Sequence, residues 1–489
     1  MTYSAETFCE TPTLSPSAKP ARSRQATLGQ FFTPALIAEF MAGLFSPPDG
    51  TVRLLDAGAG EGALTQAFVA RWCKGSIAAD AYEVDDEVLP TLIACLRDLE
   101  GDGITARAFD ADFLDAAAAM IQSGEGERYT RAILNPPYRK IATDSTERRL
   151  AAAVGLETVN LYSAFVGLAL DLVEPGGELV AIIPRSFCNG PYYRPFRDWL
   201  FKRSAIRRIH LFGSRRDAFS SDRVLQENVI ILLERGGVQR EVVVSTSTGA
   251  DFADLSARVH PFAEIVTPKD LDRVINIPTS EVTTEDEFGL TLSELGLDVA
   301  TGPVVDFRLR DHLRRDLGDA DAPLLYPQHL KAGRLTWPVD GKKPNAIEVC
   351  DTTAKWLVPT GWYVIVKRFS SKEERRRVVA TLCDPGALPG DLLGIDNKLN
   401  LIRCGKAPLA ELVARGLTVY LNSTRVDRAF RLFSGHTQVN ASDLRRMKFP
   451  TMQQLETIGR AAANLPGDQQ AIDACVAAAV GGVNEWESS

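Results

Sequence analysis

The sequence predicts a doubly wound, Rossmann-like α/β domain followed by a mixed α+β domain. Two observations carry this prediction. From about residue 27 to residue 245, short apolar runs alternate with stretches of helical periodicity, and beyond about residue 250 this alternation ends. Alternating strands and helices imply a mostly parallel sheet that helices cover on both faces. The predicted strands are Arg53–Asp56, Ala79–Val84, Arg131–Leu134, Glu178–Ile183, Ile206–Phe212 and Val229–Leu233.

The same pattern divides the chain into three segments. Residues 1–25 are rich in Ser, Thr, Pro and Ala, which is typical of a flexible tail. Residues 26–245 hold the alternating pattern and form the first predicted domain. From residue 246 to residue 489, short strands and Pro/Gly turns dominate until helical periodicity returns at Leu409–Tyr420 and Met452–Val480. This second part is expected to be a separate, irregular domain that ends in helices.

Composition and charge exclude several classes of protein. Of the 489 residues, 45% are hydrophobic, which is enough to form a large core. The net charge of −8 argues against a protein that coats nucleic acid through uniform positive charge. No apolar run is long enough to cross a bilayer and no signal peptide is recognisable, so we expect a cytoplasmic protein. The cysteines and histidines are scattered, so no metal site and no Ser/His/Asp triad is predicted.

The first predicted strand leads into a glycine-rich turn and a helix. Gly58, Gly60 and Gly62 allow a close approach of the backbone to a ligand at this edge of the sheet. Asp56 precedes these glycines. A carboxylate at this position would repel the pyrophosphate of a dinucleotide but would attract a ligand that contains a cationic amino acid. S-adenosylmethionine (SAM) carries an α-ammonium and a sulfonium, so the turn predicts a SAM site. Glu83 ends the next strand and is expected to accept the ribose hydroxyls. The alternative is a tight turn beside a solvated glutamate.

A second motif follows the strand that ends at Leu134. In Asn135-Pro136-Pro137-Tyr138, the two prolines lack N–H groups, so the loop presents acceptors to a ligand. An exocyclic amine can donate to the Asn135 side chain and the Pro136 carbonyl, which orients its lone pair for attack on a sulfonium methyl. Tyr138 offers a face for stacking on a planar substrate. The motif predicts amine methylation, and a rigid surface turn is the alternative.

Two residues between these motifs fit the same site. Asp112 can accept a hydrogen bond from the N6 amine of the adenine in SAM, and Phe113 can stack on that ring. An aspartate at this position is also a common cap of a helix, and an alanine-rich helix is predicted to follow it. Both interpretations remain open from the sequence.

In this order, the motifs resemble those of the gamma-class N6-adenine DNA methyltransferases of type II restriction–modification systems. The resemblance covers about residues 27–235. The N-terminal SAM motif of this family is resembled by Gly29–Pro34, and its glycine loop by Asp56–Gly62. Its ribose acid is resembled by Glu83, its adenine pair by Asp112–Phe113 and its catalytic motif by Asn135–Tyr138. The cofactor residues that it implies are Phe31, Thr33, Asp56, Gly58, Gly60, Glu83, Asp112 and Phe113. Residues 433–440 resemble a segment near the end of the recognition domain in this group.

The resemblance implies a function for each domain. Residues 26–245 would transfer the methyl group of SAM to adenine N6, and residues 246–489 would recognise the DNA target. The target base is inside the duplex, so it must be flipped out and stacked on Tyr138, with Phe219 as the candidate for its second face. Since little chain is left for a nuclease, a cognate restriction endonuclease is expected to be a separate protein. We expect the methyltransferase to act as a monomer.

Two basic clusters are candidate contacts for DNA. Between Arg194 and Arg216 there are eight basic residues and one acid, and a second cluster spans Lys367–Arg377. A run of basic residues usually forms a solvated surface of the protein. An enzyme that acts on DNA, however, needs a positively charged cleft, and these clusters could supply it. Gln438 and Asn440 have side chains that can read base edges. The candidate DNA-binding residues are therefore Arg194, Arg197, Arg207, Arg208, Lys367, Arg368, Gln438 and Asn440.

Two alternatives remain open. The same acceptor loop would serve methylation of cytosine N4, guanine N2 in RNA or a protein glutamine. A non-catalytic DNA-binding module that kept the fold is the other alternative, and the presence of Asp56, Glu83 and Asn135 argues against it. Methylation of cytosine C5 needs a cysteine nucleophile, which that family presents after a proline, and no cysteine here follows a proline.

Overall fold

The computed structural model describes residues 32–124, 129–213, 227–268, 270–279, 289–331, 333–370, 374–434, 438–462 and 467–480. The chain divides into two compact units, Met1–Thr279 and Ser280–Ser489. The boundary predicted after residue 245 therefore lies inside the first unit. The strand at Ser256–His260 pairs with the strand at Val242–Ser247, and Ile275 packs in the core of the first unit, so residues 246–279 belong to it. The predicted tail, residues 1–25, lies outside the described residues.

A central sheet organises the first unit. Its described strands are β1 (Val52–Ala57), β2 (Ile77–Glu83), β3 (Ile104–Asp110), β4 (Tyr129–Leu134), β5 (Val173–Pro184), β6 (Ser204–Phe212), β7 (Asn228–Arg235), β8 (Val242–Ser247) and β9 (Ser256–His260). They lie in the order β3-β2-β1-β4-β5-β7-β6-β8-β9. All neighbouring strands within the group β1 to β5 are parallel to each other. Strand β7, in contrast, runs antiparallel to both β5 and β6. The predicted strands and the mostly parallel sheet are confirmed.

Helices cover both faces of this sheet. Residues that alternate along a strand enter two separate cores, as Leu54 and Leu55 do on β1. One face is covered by α1 (Ala35–Ala42), α2 (Ala63–Trp72) and α3 (Leu89–Leu99). The opposite face is covered by α4 (Phe113–Ser123), α5 (Thr146–Ala153), α6 (Leu161–Leu172), α7 (Arg194–Arg203) and α8 (Phe262–Ile265). The first unit is thus a doubly wound α/β domain, and α2 follows the glycine turn, as predicted.

The topology brings the predicted motifs to one edge of the sheet. Strands β2, β1 and β4 are neighbours and parallel, so their carboxyl ends meet. The glycine turn follows β1, Glu83 ends β2, and Asn135 follows β4 directly. This is the position at which open α/β sheets bind ligands.

The second unit is mixed α+β, as predicted. Its described strands are β10 (Asp298–Thr301), β11 (Leu313–Arg314), β12 (Asp321–Leu325), β13 (Leu330–Lys331), β14 (Arg334–Leu335), β15 (Ala346–Glu348), β16 (Leu357–Pro359), β17 (Tyr363–Lys367), β18 (Ala380–Cys383), β19 (Leu392–Ile395) and β20 (Leu399–Arg403). They form the sheets β10-β20-β17-β18, β11-β15-β12-β19-β16 and β13-β14. The helices are α9 (Glu411–Leu421), α10 (Thr424–Phe433), α11 (Ala441–Arg446), α12 (Met452–Ala461) and α13 (Gln469–Val480). Among the described residues, no helix is long and apolar enough to span a bilayer.

Candidate active site

An open cavity lies at the carboxyl edge of the first sheet, and its empty space of about 820 Å³ includes open solvent. It is lined by residues of the glycine turn, of the end of β2, of the start of α4 and of the loop after β4. The lining residues are Phe32, Gly58, Gly60, Tyr82, Glu83, Val84, Ala111, Asp112, Phe113, Leu114, Asn135, Pro137, Arg139, Glu147, Leu161 and Phe165. Motifs that are up to about 100 residues apart in the sequence therefore share one site.

The N–H groups of the glycine turn donate to acceptors within the protein. Gly58 N and Ala59 N donate to the carbonyl oxygen of Tyr82, at 3.0 and 2.9 Å, and Gly60 N donates to Glu83 Oε2 at 2.9 Å. Both glycines have positive φ, at 76° and 57°, which side chains rarely adopt. A phosphate-binding turn points such N–H groups at its anion. This turn satisfies them internally, so it is suited to a ligand without a phosphate group.

Glu83 is buried and held in one orientation. Its Oε1 accepts from the backbone N–H groups of Val84 and Asp85, both at 2.8 Å, and its Oε2 accepts from Gly60. Three backbone donors therefore hold the carboxylate in place. Glu83 also lines the cavity, and its contact with a ribose stays a prediction.

Asp56 lies behind the glycine turn and not in the cavity wall. It is fully buried, and its Oδ2 accepts from the Oγ1 and N of Thr65 at 2.7 and 3.2 Å. Oδ1 is also buried and has no hydrogen-bond partner among the described residues. This desolvation raises the pKa of Asp56 to about 7. Asp56 therefore does not line the site, and its effect on a cationic ligand would act through its charge.

Asn135 is fixed by two neighbouring side chains. Its Nδ2 donates to Thr33 Oγ1 at 2.9 Å, and the hydroxyl of Tyr138 lies 3.0 Å from its Oδ1 and 3.1 Å from the carbonyl oxygen of Ile182. Burial raises the pKa of Tyr138 well above its usual range, so its hydroxyl stays protonated. The structure thus joins Thr33, from the predicted N-terminal SAM motif, with the Asn135–Tyr138 motif. Within this motif, Pro136 is buried and Pro137 lines the cavity.

Aromatic side chains form one wall of the cavity. Phe113 lies 5.2 Å, centroid to centroid, from Phe165, and both line the site. Asp112 also lines it, but its carboxylate accepts from Leu114 N at 2.7 Å and so caps α4. The helix-capping alternative for Asp112 is confirmed, and its contact with a ligand stays a prediction.

Phe32, Arg139 and Glu147 are among the residues of the cavity wall that were not predicted. Phe32 lies between the predicted Phe31 and Thr33. Arg139 directly follows the Asn135–Tyr138 motif, and its guanidinium forms an ion pair with the Glu147 carboxylate at 2.8 Å. Adjacency to a predicted motif was the available signal for Phe32 and Arg139. Glu147 comes to the site through the start of α5, which no sequence signal had linked to it.

The first basic cluster contains a wrong prediction. Arg197 is fully buried, and its guanidinium donates to the carbonyl oxygens of Phe187, Gly190 and Asp272 at 2.7 to 3.0 Å. It holds the loop after β5 together and is not placed to contact DNA. Its charge had suggested a surface position, but its helical phase on α7 directs it inward.

Arg207 forms an ion pair, and its contact with DNA stays a prediction. It lies near the start of β6, at the edge of the sheet opposite the cavity, and its Nε pairs with Glu234 at 2.6 Å. Arg208 follows it on β6 and is partly buried. Arg194 is half exposed at the start of α7 and lies 3.7 to 3.8 Å from Asp198 and Asp272.

The predicted residues of the second unit come together. Arg368 donates to Asn397 O at 2.7 Å, and its Nη2 lies 3.4 Å from both Gln438 Oε1 and Asn440 Oδ1. Asn440 caps α11, where its backbone N–H is held by Asp443. Lys367 ends β17 and is partly exposed. Phe31 and Phe219, predicted for the cofactor and for the target base, lie outside the described residues.

The fold and the site define a class, namely a methyltransferase with a Rossmann-like catalytic domain and a second α+β domain. Residues 65–219 match the model of the Eco57I restriction-modification methylase family. The chain is 46% identical over 458 residues to the type II methyltransferase M.BsuBI of Bacillus subtilis, covering 90% of this chain and 91% of the relative. It is 43% identical to the type II methyltransferase M.PstI of Providencia stuartii, covering 89% of each.

A solved structure has the same fold over most of the chain. The type IIL restriction-modification enzyme MmeI in complex with DNA superimposes with a TM-score of 0.51 and 11% identity, over 91% of this chain and 71% of that one. The identity of the curated relatives over nearly their whole length decides the family. This chain belongs to the type II DNA methyltransferases of restriction–modification systems.

Proposed function

We propose that this protein transfers the methyl group of SAM to the N6 amine of an adenine that is flipped out of duplex DNA. The observation that carries the proposal is the shared cavity, in which the glycine turn, Glu83 and Phe113 lie beside Asn135. A cofactor site and an amine-orienting site must adjoin for direct transfer, because the reacting atoms have to approach within about 3.5 Å.

The chemistry of the cavity fits SAM. Phe113 and Phe165 offer an apolar wall for an adenine ring, and Glu83 presents carboxylate oxygens for ribose hydroxyls. The N–H groups of the glycine turn are used internally, which disfavours a dinucleotide, whose pyrophosphate needs them. The Asp56 carboxyl lies behind the turn with a pKa of about 7, so a cationic amino acid bound nearby would favour its ionised form. When bound, SAM supplies an electrophilic methyl group on its sulfonium.

The amine would be oriented by Asn135 and by the carbonyl group of Pro136. An amide oxygen can accept two hydrogen bonds, so Asn135 Oδ1 can receive an amine proton beside the Tyr138 hydroxyl. Thr33 fixes the other end of the amide and so determines which atom faces the amine. Acceptors aimed at the amine localise its lone pair, and this electrostatic orientation replaces a strong general base.

The choice of adenine N6 rests on the resemblance of residues 135–138 to the gamma-class motif. Cytosine N4 is the alternative amine that the same acceptors would hold. The base would be stacked on Tyr138, with Phe219 as the candidate for the second face. Methylation of this kind protects DNA from a restriction endonuclease, which we propose is a separate protein with the same target site. We also propose that the enzyme acts in the cytoplasm as a monomer.

Two variants test the cofactor site and the amine site separately. Glu83→Gln should weaken SAM binding in calorimetry by about tenfold, because it removes the negative charge and replaces one of the two acceptor oxygens with a donor. Asn135→Ala should bind SAM normally and lose transfer of the labelled methyl group to plasmid DNA. Normal transfer by Asn135→Ala would contradict the role of the motif, and unchanged SAM affinity in Glu83→Gln would contradict the ribose site.

A further inference from the structure

We propose that the second unit contacts duplex DNA through one patch of cationic and aromatic side chains, and that the aromatic members contribute to sequence discrimination. The inference rests on the proposed function and names the surface that would read the DNA. We call this surface the recognition patch. Its members are Phe307, Arg308, Lys343, Lys367, Arg368, Phe369, Lys398 and Gln438.

Contacts join five separate segments into this patch. The carboxylate of Asp306 accepts from Lys343 Nζ at 2.6 Å and lies 3.4 Å from Lys398 Nζ. The carbonyl oxygen of Lys398 accepts from Arg368 N at 3.1 Å, and the guanidinium of Arg368 reaches Gln438. The segments around residues 306, 343, 368, 398 and 438 therefore form one continuous surface.

Two exposed phenylalanines flank these contacts. Phe307 is 60% exposed and Phe369 is 56% exposed, and they are the most exposed large apolar side chains in the described part of the second unit. Phe307 follows Asp306, and Phe369 follows Arg368. The Arg308 guanidinium lies 5.6 Å from the centre of the Phe307 ring. Exposed aromatic rings beside cations are typical of a surface that is covered by a partner.

The charge of the patch indicates a polyanionic partner. It contains five cationic side chains, and the carboxylates within ion-pair distance of them in the described residues belong to Asp306 and Asp396. The Lys343 ammonium lowers the pKa of Asp306, and burial raises the pKa of Asp396, whose side chain is fully enclosed. A local surplus of positive charge stands out in a chain with a net charge of −8.

The side chains divide into three roles on DNA. Lys343, Lys367 and Lys398 have flexible ammonium groups for backbone phosphates. Phe307 and Phe369 offer apolar contact to thymine methyl groups, and Gln438 offers an amide to adenine edges. Arg368 is pinned by Asn397 and contacts Gln438, so it positions that amide and is not itself placed to read a base.

The test uses the full-length protein. Single-molecule sequencing of plasmid DNA methylated by the wild type defines the modified site, and fluorescence anisotropy then compares a duplex that contains the site with a scrambled duplex. Phe307→Ala and Phe369→Ala should each weaken binding to the site duplex about tenfold and reduce the preference for it. Lys343→Ala and Lys398→Ala should weaken binding to both duplexes equally and lower the salt slope by about one.

Trp356→Ala is the matched control. Trp356 is also an exposed aromatic residue with a lysine, Lys355, 5.3 Å over its ring, and no contact joins it to the recognition patch in the described residues. Patch variants that equal Trp356→Ala in affinity, preference and salt slope, while folded by circular dichroism, would overturn the inference and leave the proposed function intact. A wild-type protein that modifies no DNA would overturn both.

Discussion

At the scale of single residues, the substitution of Asn135 is predicted to have the largest effect on methyl transfer. Replacing it by Ala should lower the rate of methyl transfer by about a thousandfold, because the lost acceptor acts mainly in the transition state. Tyr138→Phe keeps the ring and removes the hydroxyl that contacts Asn135, so a loss of only about tenfold is expected. Single-turnover transfer from labelled SAM measures both. Equal losses in the two variants would contradict a direct role of Asn135.

Asp56 makes a prediction about pH. Its pKa is about 7 in the folded protein against 3.8 for the free side chain, so folding favours the protonated form. The stability that this contributes is complete below pH 3.8 and is lost as the pH rises through 7. From pH 6 to pH 8, the wild type should lose about 1 kcal/mol of unfolding free energy relative to Asp56→Asn. Denaturant unfolding of both proteins measures this difference, and parallel pH profiles would contradict it.

The residues of the site could be predicted where backbone chemistry fixes them. Gly58 and Gly60 can be recognised in the sequence because glycine readily adopts positive φ. The loop at Asn135 can be recognised because its two prolines lack N–H donors. Arg197 could not be assigned correctly, because its charge gives no sign that three carbonyl groups enclose it. The use of Glu83 Oε2 by the glycine turn was equally hidden, since it depends on the distance between two strand ends.

At the scale of elements, buried strands could be predicted and edge strands could not. Val180 and Ile231 belong to continuous apolar runs because helices cover both faces of β5 and β7. Strand β3 lies at one end of the sheet and alternates exposed and half-buried residues, so its pattern is weak. The antiparallel insertion of β7 between β5 and β6 leaves no local trace, because burial alone does not encode direction.

The contact between α9 and α12 gives a prediction about stability. A Cβ added to Gly416 would overlap the carbonyl group of Leu455, and one added to Gly459 would overlap that of Leu412. The two helices approach closely through this reciprocal pair, so Gly416→Ala should destabilise the second unit by about 3 kcal/mol. Gly467→Ala is the control, because nothing lies within 4 Å of its added Cβ. Thermal unfolding of both variants tests this, and equal midpoints would contradict the packing.

At the scale of the whole molecule, the chain consists of two units that divide after Thr279. A fragment of residues 1–279 should fold and bind SAM, because it keeps β9 and the core residues Ile265 and Ile275. A fragment that ends at residue 245 should bind SAM at least tenfold more weakly or aggregate, since it exposes that core, cuts β8 short and removes β9. Calorimetry with SAM compares them, and equal behaviour would restore the boundary predicted from the sequence.

The two-domain organisation was predictable from the change in pattern near residue 250, but the position of the boundary was not. Strand β9 is largely exposed and the following segment is irregular, so neither resembles a buried part of the sheet. The clustering of Arg368 with Gln438 and Asn440 was also beyond the sequence, because about 70 residues separate them and β17 and α11 meet only in the fold.

The most direct measurement for the proposed reaction is the identity of the methylated nucleoside. The purified protein would be incubated with SAM labelled in its methyl group and unmethylated plasmid DNA, and the DNA then digested and analysed by mass spectrometry. We predict label in N6-methyladenine, and none in DNA treated with Asn135→Ala. Label in N4-methylcytosine, or SAM that binds without any label reaching DNA, would contradict adenine N6 methylation.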